Sequence, residues 1–134
     1  MFYKDIKKSG KLIPSINKDD ITIKLDEIIN RLAGRAIRGN CVYLSCDIQA
    51  MDGFERSFRV STKNIDTSKL FVADNSILDD IIATYGTDLA TVYAYRYIQS
   101  YMSYDDFIKN KDEYMITYRP EFLYFGEIGI KRTA

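Results

Sequence analysis

Apolar residues recur at helical spacing across Asp20–Ala33, where Ile21, Leu25, Ile28, Ile29 and Leu32 share one face and Gly34 supplies a C-terminal stop. This pattern predicts the first long helix. Gly39-Asn40 then turns into a compact run over 41–47 that reads as a central strand, with Val42 and Leu44 on one face and Tyr43 and Ser45 on the other. Residues 57–61 and 69–73 predict further short strands, joined by the turn-rich segment 64–68. Ser76 with Asp79 resembles a capping box, and Ile77, Ile81 and Tyr85 follow on one helical face before Gly86. Thr87 starts another helix whose apolar stripe is read as Leu89, Val92, Tyr93, Arg96 and Tyr97, and Ser103 with Asp106 opens a short one. Residues 113–118 and 122–130 predict closing strands separated by a turn at Arg119-Pro120, since proline brings no N–H to a ladder. Near the N-terminus, 6–15 reads as a short helix ending in a turn at Gly10. The sum is an α+β chain, a single domain over 1–134 with a split, mixed or antiparallel β-core and inserted helices.

Composition removes several chemistries. The 134 residues contain no His, which excludes imidazole acid–base catalysis, a Ser-His-Asp triad and any His-containing metal site. Cys41 and Cys46 fit no metal or redox motif, so no metal is expected, and they read as buried free thiols in a reducing compartment. Nineteen basic and nineteen acidic residues balance, which argues against general capture of nucleic acid or an anionic membrane. With no long apolar run and no signal-like N-terminus, a cytoplasmic protein without a membrane span is expected. The local charge is less even. Residues 74–113 carry eight carboxylates against Arg96, Lys109 and Lys111, together with a succession of tyrosines.

Two short segments carry candidate chemistry. Tyr43 and Ser45 on one strand face offer a ring and a hydroxyl to a ligand, although β-propensity and packing account for Val-Tyr-Leu equally well. Glu113, opening the expected strand among aromatic neighbours, offers a carboxylate to a developing cation, although a solvated strand-edge Glu fits the same pattern.

Taken in chain order, four motifs form a further pattern. They are Ile6-x-x-x-Gly10-x-Leu12-x-Pro14, Gly39-x-x-Val-Tyr-Leu-Ser45, Ile65-Asp-x-Ser-Lys-Leu70 and Glu113-Tyr-x-Ile116. From Tyr3 to Tyr118 the chain resembles the ADP-ribosyltransferase superfamily. That resemblance implies a split β-core holding NAD as co-substrate in a cleft, with 1–134 as one ADP-ribosyltransferase-like domain. It implies Tyr43 and Ser45 at the nicotinamide and its ribose. It also implies Glu113 as the catalytic carboxylate, on the ribose 2′-hydroxyl and the oxocarbenium-like transition state. In place of the family's anchoring His or Arg the first strand has Phe2-Tyr3-Lys4, so Lys4 is the donor assigned there. Arg31, Arg35 or Arg38 can meet the phosphates, with Arg38 the one assigned, because arginine grips phosphate in a fork. Lys111 stands two before Glu113, where arginine-directed members have an acid or amide.

The motifs and the acidic, tyrosine-rich stretch lead to two different functions. The first is an enzyme, a mono-ADP-ribosyltransferase acting as a toxin or phage effector, that cleaves the nicotinamide–ribose bond and moves ADP-ribose to a host macromolecule. The alternative is a non-catalytic inhibitor or immunity protein. It would bind a host protein through the acidic 74–113 face, using Tyr85, Tyr93, Tyr95, Tyr97, Tyr101 and Tyr104.

Overall fold

Asp19 starts the first helix, α1 (Asp20–Ala33): its Oδ2 accepts from the Thr22 N–H at 3.1 Å. Gly34 ends it at φ 74°, a left-handed position that suits a residue without a Cβ, and its N–H reaches the Asn30 and Arg31 carbonyls. The computed structural model describes residues 2–4, 10–14, 19–44, 58–60 and 65–132. In chain order the elements are β1 (Phe2–Lys4), β2 (Gly10–Leu12), α1, β3 (Val42–Leu44), β4 (Phe58–Val60) and β5 (Leu70–Asp74). There follow α2 (Ser76–Ala83), α3 (Asp88–Ser100), β6 (Met102–Ser103), α4 (Tyr104–Lys109), α5 (Lys111–Thr117), β7 (Pro120–Tyr124) and β8 (Ile128–Arg132). The chain is α+β, as its pattern predicts.

The strands form two four-stranded sheets, ordered β3-β7-β5-β6 and β1-β4-β8-β2. Every pairing among the described residues is antiparallel, so the mixed option is set aside. In the first sheet β3 lies at the outer position, not the central one. β7 takes the centre because its Phe122-Leu123-Tyr124 run is buried on both sides. Alternation along the strands sorts two cores. Val42, Leu44, Leu70, Val72, Phe122 and Tyr124 pack with Phe107 of α4 on one face. Ala73 and Leu123 pack with Leu25, Ile29, Ile81, Ala94 and Tyr97 of α1, α2 and α3 on the other.

Several expectations need correction. Residues 122–130 split into β7 and β8 because the chain bends at Gly126, where a Cβ would lie 3.0 Å from Tyr124 Cε2. Gly10–Leu12, expected as the end of a helix, is a strand paired with β8, and residues 6–9 lie outside the described ones. The cap of α2 comes from Asp74 and not from a Ser76–Asp79 box. Asp74 Oδ1 accepts from the Ser76 N–H at 3.1 Å, from Ser76 Oγ at 2.7 Å and from the Arg119 N–H at 3.2 Å. Tyr85, beyond the end of α2, is exposed. In α3 the buried stripe is Ala90, Ala94, Tyr97 and Ser100, which leaves Leu89 and Val92 in solvent. Small residues let α3 approach its neighbours, and that advantage overrides the side-chain size on which the expected stripe was drawn. Among the described residues no helix is long and apolar enough to cross a membrane.

Candidate functional site

The most elaborate polar arrangement surrounds Arg38. After α1 the chain folds back, and Asn30 clips it in place. Asn30 Oδ1 accepts from the Ile37 and Arg38 N–H groups at 2.9 and 3.2 Å, and Nδ2 donates to the Arg38 carbonyl at 2.9 Å. Gly39 continues the turn at φ 110°, a conformation side chains rarely adopt, and its N–H donates to Tyr43 Oη at 2.9 Å. The clip buries Ile37 and sends the Arg38 side chain inward, leaving it 4% exposed.

Four elements meet this guanidinium. Nε donates to Asp26 Oδ1 of α1, while Nη1 donates to Tyr97 Oη of α3 at 2.8 Å and to Glu121 Oε1 of β7 at 3.1 Å. Tyr97 Oη itself donates to Glu121 Oε1 at 3.5 Å. The rings of Tyr43 and Tyr97 lie 5.3 and 5.4 Å from the guanidinium carbon, within cation–π range. Burial works against the Arg38 charge. Tyr97, Glu121, Tyr43 and Asp26 together outweigh it and hold the guanidinium's proton affinity above its ordinary value. At Glu121 burial dominates and pushes the carboxyl up, against the pull of Arg38 and with the help of Asp26. Burial likewise raises the Tyr97 hydroxyl well above the ordinary tyrosine range.

Beside this cluster lies a cavity of about 300 Å³. Arg38, Tyr43 and Glu121 contribute its polar inner surface, and Leu25, Leu78 and Ile82 line it with apolar atoms. Thr22, Asn75 and the exposed Asp79 complete it.

The expected site residues divide as follows. Arg38 and Tyr43 are brought together here. Lys4 is the third residue of β1, opposite Phe58, and Ser45 lies outside the described residues, as does Cys46. Cys41 is buried, and desolvation pushes its thiol up to about 11. Glu113 is the main correction. It sits in the first turn of a helix, α5, and not on a strand. Exposed there, it borders an open pocket with Ile108, Lys109 and Asp112 that shares no lining residue with the Arg38 cavity. The period decides between the two structures. A strand would group Tyr114, Ile116 and Tyr118 on one face, yet Ile116 is 85% exposed. The helix instead pairs Tyr114 with Tyr118 at 5.1 Å between ring centroids and stacks Tyr114 on Phe107 at 5.7 Å.

Asp26 and Glu121 carry no signal of chemistry in the local sequence, and Tyr97, expected on the stripe of α3 and among the interface tyrosines, serves the Arg38 cluster instead. The available signal was parity: Glu121 is two positions from Leu123 and therefore shares its helix-covered face.

A second surface feature lies on α3. Leu89, Val92 and Tyr95 are 55%, 46% and 47% exposed, and successive steps of three residues keep them within about 120° of one another around the helix. The exposed carboxylates Asp79, Asp80 and Asp88 lie on α2 and at the start of α3. Of the tyrosines expected on this face, Tyr85 and Tyr95 are exposed, Tyr93, Tyr101 and Tyr104 are half-buried, and Tyr97 belongs to the core. Compared with known proteins, this chain matches no family model, no curated protein and no solved structure.

Proposed function

We propose that this chain is a protein-binding module that docks a basic partner surface through the outward side of α3 and the exposed carboxylates of α2 and of the start of α3. The observation that supports this reading is the exposure of Leu89, Val92 and Tyr95 on one side of a single helix, with Asp79, Asp80 and Asp88 exposed on α2 and the first turn of α3. Apolar side chains grouped on an otherwise polar helix mark association sites more often than scattered ones do. Aromatic anchors supply much of the energy of such contacts, while surrounding charges steer the encounter. A host-protein partner and a cytoplasmic setting belong to this same reading.

The test is photocrosslinking in the expressing cell, with a photoreactive residue at position 92, at 95, or at the still more exposed 116 of α5. The expected result is one discrete adduct common to 92 and 95 and absent at 116, lost when Leu89→Glu is added. Adducts no stronger at 92 and 95 than at 116 would overturn the reading.

A second reading, transfer of ADP-ribose from NAD in line with the family resemblance, has one observation in its favour: Arg38 and Tyr43 share a cavity. The carboxylate beside them is Glu121, so this reading needs Glu121 in the part expected of Glu113. Release of nicotinamide by the wild type, retained in Glu113→Gln and lost in Glu121→Gln, is its signature.

A further inference from the structure

Arg38 has five N–H donors and uses three of them, one on Nε and two on Nη1. Its Nη2 has no acceptor among the described residues. Glu121 is in the same position: Oε1 is engaged by Arg38 and Tyr97, while Oε2 has no donor among the described residues. Among the described residues no fully buried side-chain nitrogen or oxygen lacks a partner, so these two atoms keep contact with solvent. The cavity is where both residues reach it. An open pocket over two mostly buried side chains therefore offers the two N–H donors of Nη2 and a carboxyl oxygen of Glu121.

The charge balance narrows what fits. Arg38 is already matched by Asp26 and Glu121, and Asp79 adds a further carboxylate toward solvent, so a free anion gains little here. A guanidinium-like cation would meet the Arg38 fork head on. A neutral ligand with an acceptor beside a donor satisfies both open atoms, whereas a ligand that covers them without pairing them leaves a desolvated polar atom unmatched. Ring lactams hold a carbonyl oxygen and an N–H on the same edge, whereas open-chain secondary amides point them in opposite directions. The apolar walls from Leu25, Leu78 and Ile82 suit a flat ring, and about 300 Å³ is the small end of ligand pockets.

We infer that the cavity beside Arg38 binds a neutral lactam heterocycle of nucleobase size, its carbonyl on Arg38 Nη2 and its N–H on Glu121 Oε2. This site shares Asp79 with the carboxylates beside the α3 surface but has no α3 residue in its lining, and it does not depend on the protein-binding reading.

The experiment titrates the ¹⁵N-labelled chain with 1-methyluracil, which keeps the lactam N–H, and with 1,3-dimethyluracil, which lacks it. The expected result is saturable binding of the first, with amide shifts grouped at Tyr43, Leu78 and Ile82, and at least roughly tenfold weaker binding of the second. Ile82→Trp fills the cavity from its exposed side without touching the Arg38 cluster, and should weaken 1-methyluracil by roughly tenfold or more. Glu121→Gln should narrow the difference between the two probes. Absence of saturation by 1-methyluracil, equal affinity for both probes, shifts grouped instead around Tyr85, or unchanged binding by Ile82→Trp would each overturn the inference.

Discussion

Arg38 Nη1 donates to Tyr97 Oη at 2.8 Å and so ties the turn after α1 to the last turn of α3 across 59 residues of sequence. The same guanidinium holds Asp26 and Glu121, and its burial means that each of these carboxyls relies on it for charge compensation. Arg38→Met keeps much of the side-chain volume and removes the charge, leaving two carboxyls without their cation. Breaking such a buried pair costs about 3–5 kcal/mol. Urea unfolding should show that loss, with Arg38→Lys intermediate because it restores charge but not the fork. A loss below about 1 kcal/mol would mean that solvent already compensates these carboxyls.

Glu121 gives the cluster a pH dependence of known sign. Burial raises its carboxyl above the ordinary 4.5, so the folded chain holds the proton more tightly than the unfolded one. The associated stability is whole below 4.5 and is lost as pH climbs through the raised folded value. Between about pH 4 and 8 the wild type should therefore lose unfolding free energy relative to Glu121→Gln, and the two should then run parallel. A wild-type advantage that grows with pH would show that Arg38 outweighs burial.

Much of this arrangement is legible in the sequence one element at a time. The α1 helix and its Gly34 stop follow from local spacing and chain chemistry, and so does the alternation of Val42, Tyr43 and Leu44. What connects Arg38 to Glu121 is not local. It depends on β7 pairing between β3 and β5 and on which face of that sheet α1 and α3 cover. Residues 111–117 failed for another reason: aromatic and β-branched residues fit a period of two by composition, and only the packing of Tyr114 on Phe107 selects 3.6. Glu113 took its assigned role from that strand.

Cys41 packs among Ile29, Ile37 and Tyr97, and its thiol is raised to about 11 by burial. At pH 8 the native thiolate is then scarce, and the thiol is shielded as well. Iodoacetamide followed by peptide mapping should label Cys41 slowly in the native chain and readily in urea. Added reductant should leave the melting temperature unchanged. Fast native labelling would place Cys41 at a surface.

The two versions of the α3 stripe make opposite demands on neighbouring positions. If Val92 were a core residue, as its size alone implies, Val92→Ser would open a cavity beneath a polar group. With Val92 46% exposed, the same change should lie within about 0.5 kcal/mol of wild type. Ala94 is fully buried, two positions on, where α3 meets the sheet and the other helices. Ala94→Leu must force extra methylene and methyl groups into filled space, at about 1–3 kcal/mol or more. Unfolding of both variants under one set of conditions checks the pair. A tolerated Ala94→Leu with a damaging Val92→Ser would rotate α3 back to the spacing-based stripe. That outcome would also remove the exposed Leu89, Val92 and Tyr95 surface on which the protein-binding reading rests.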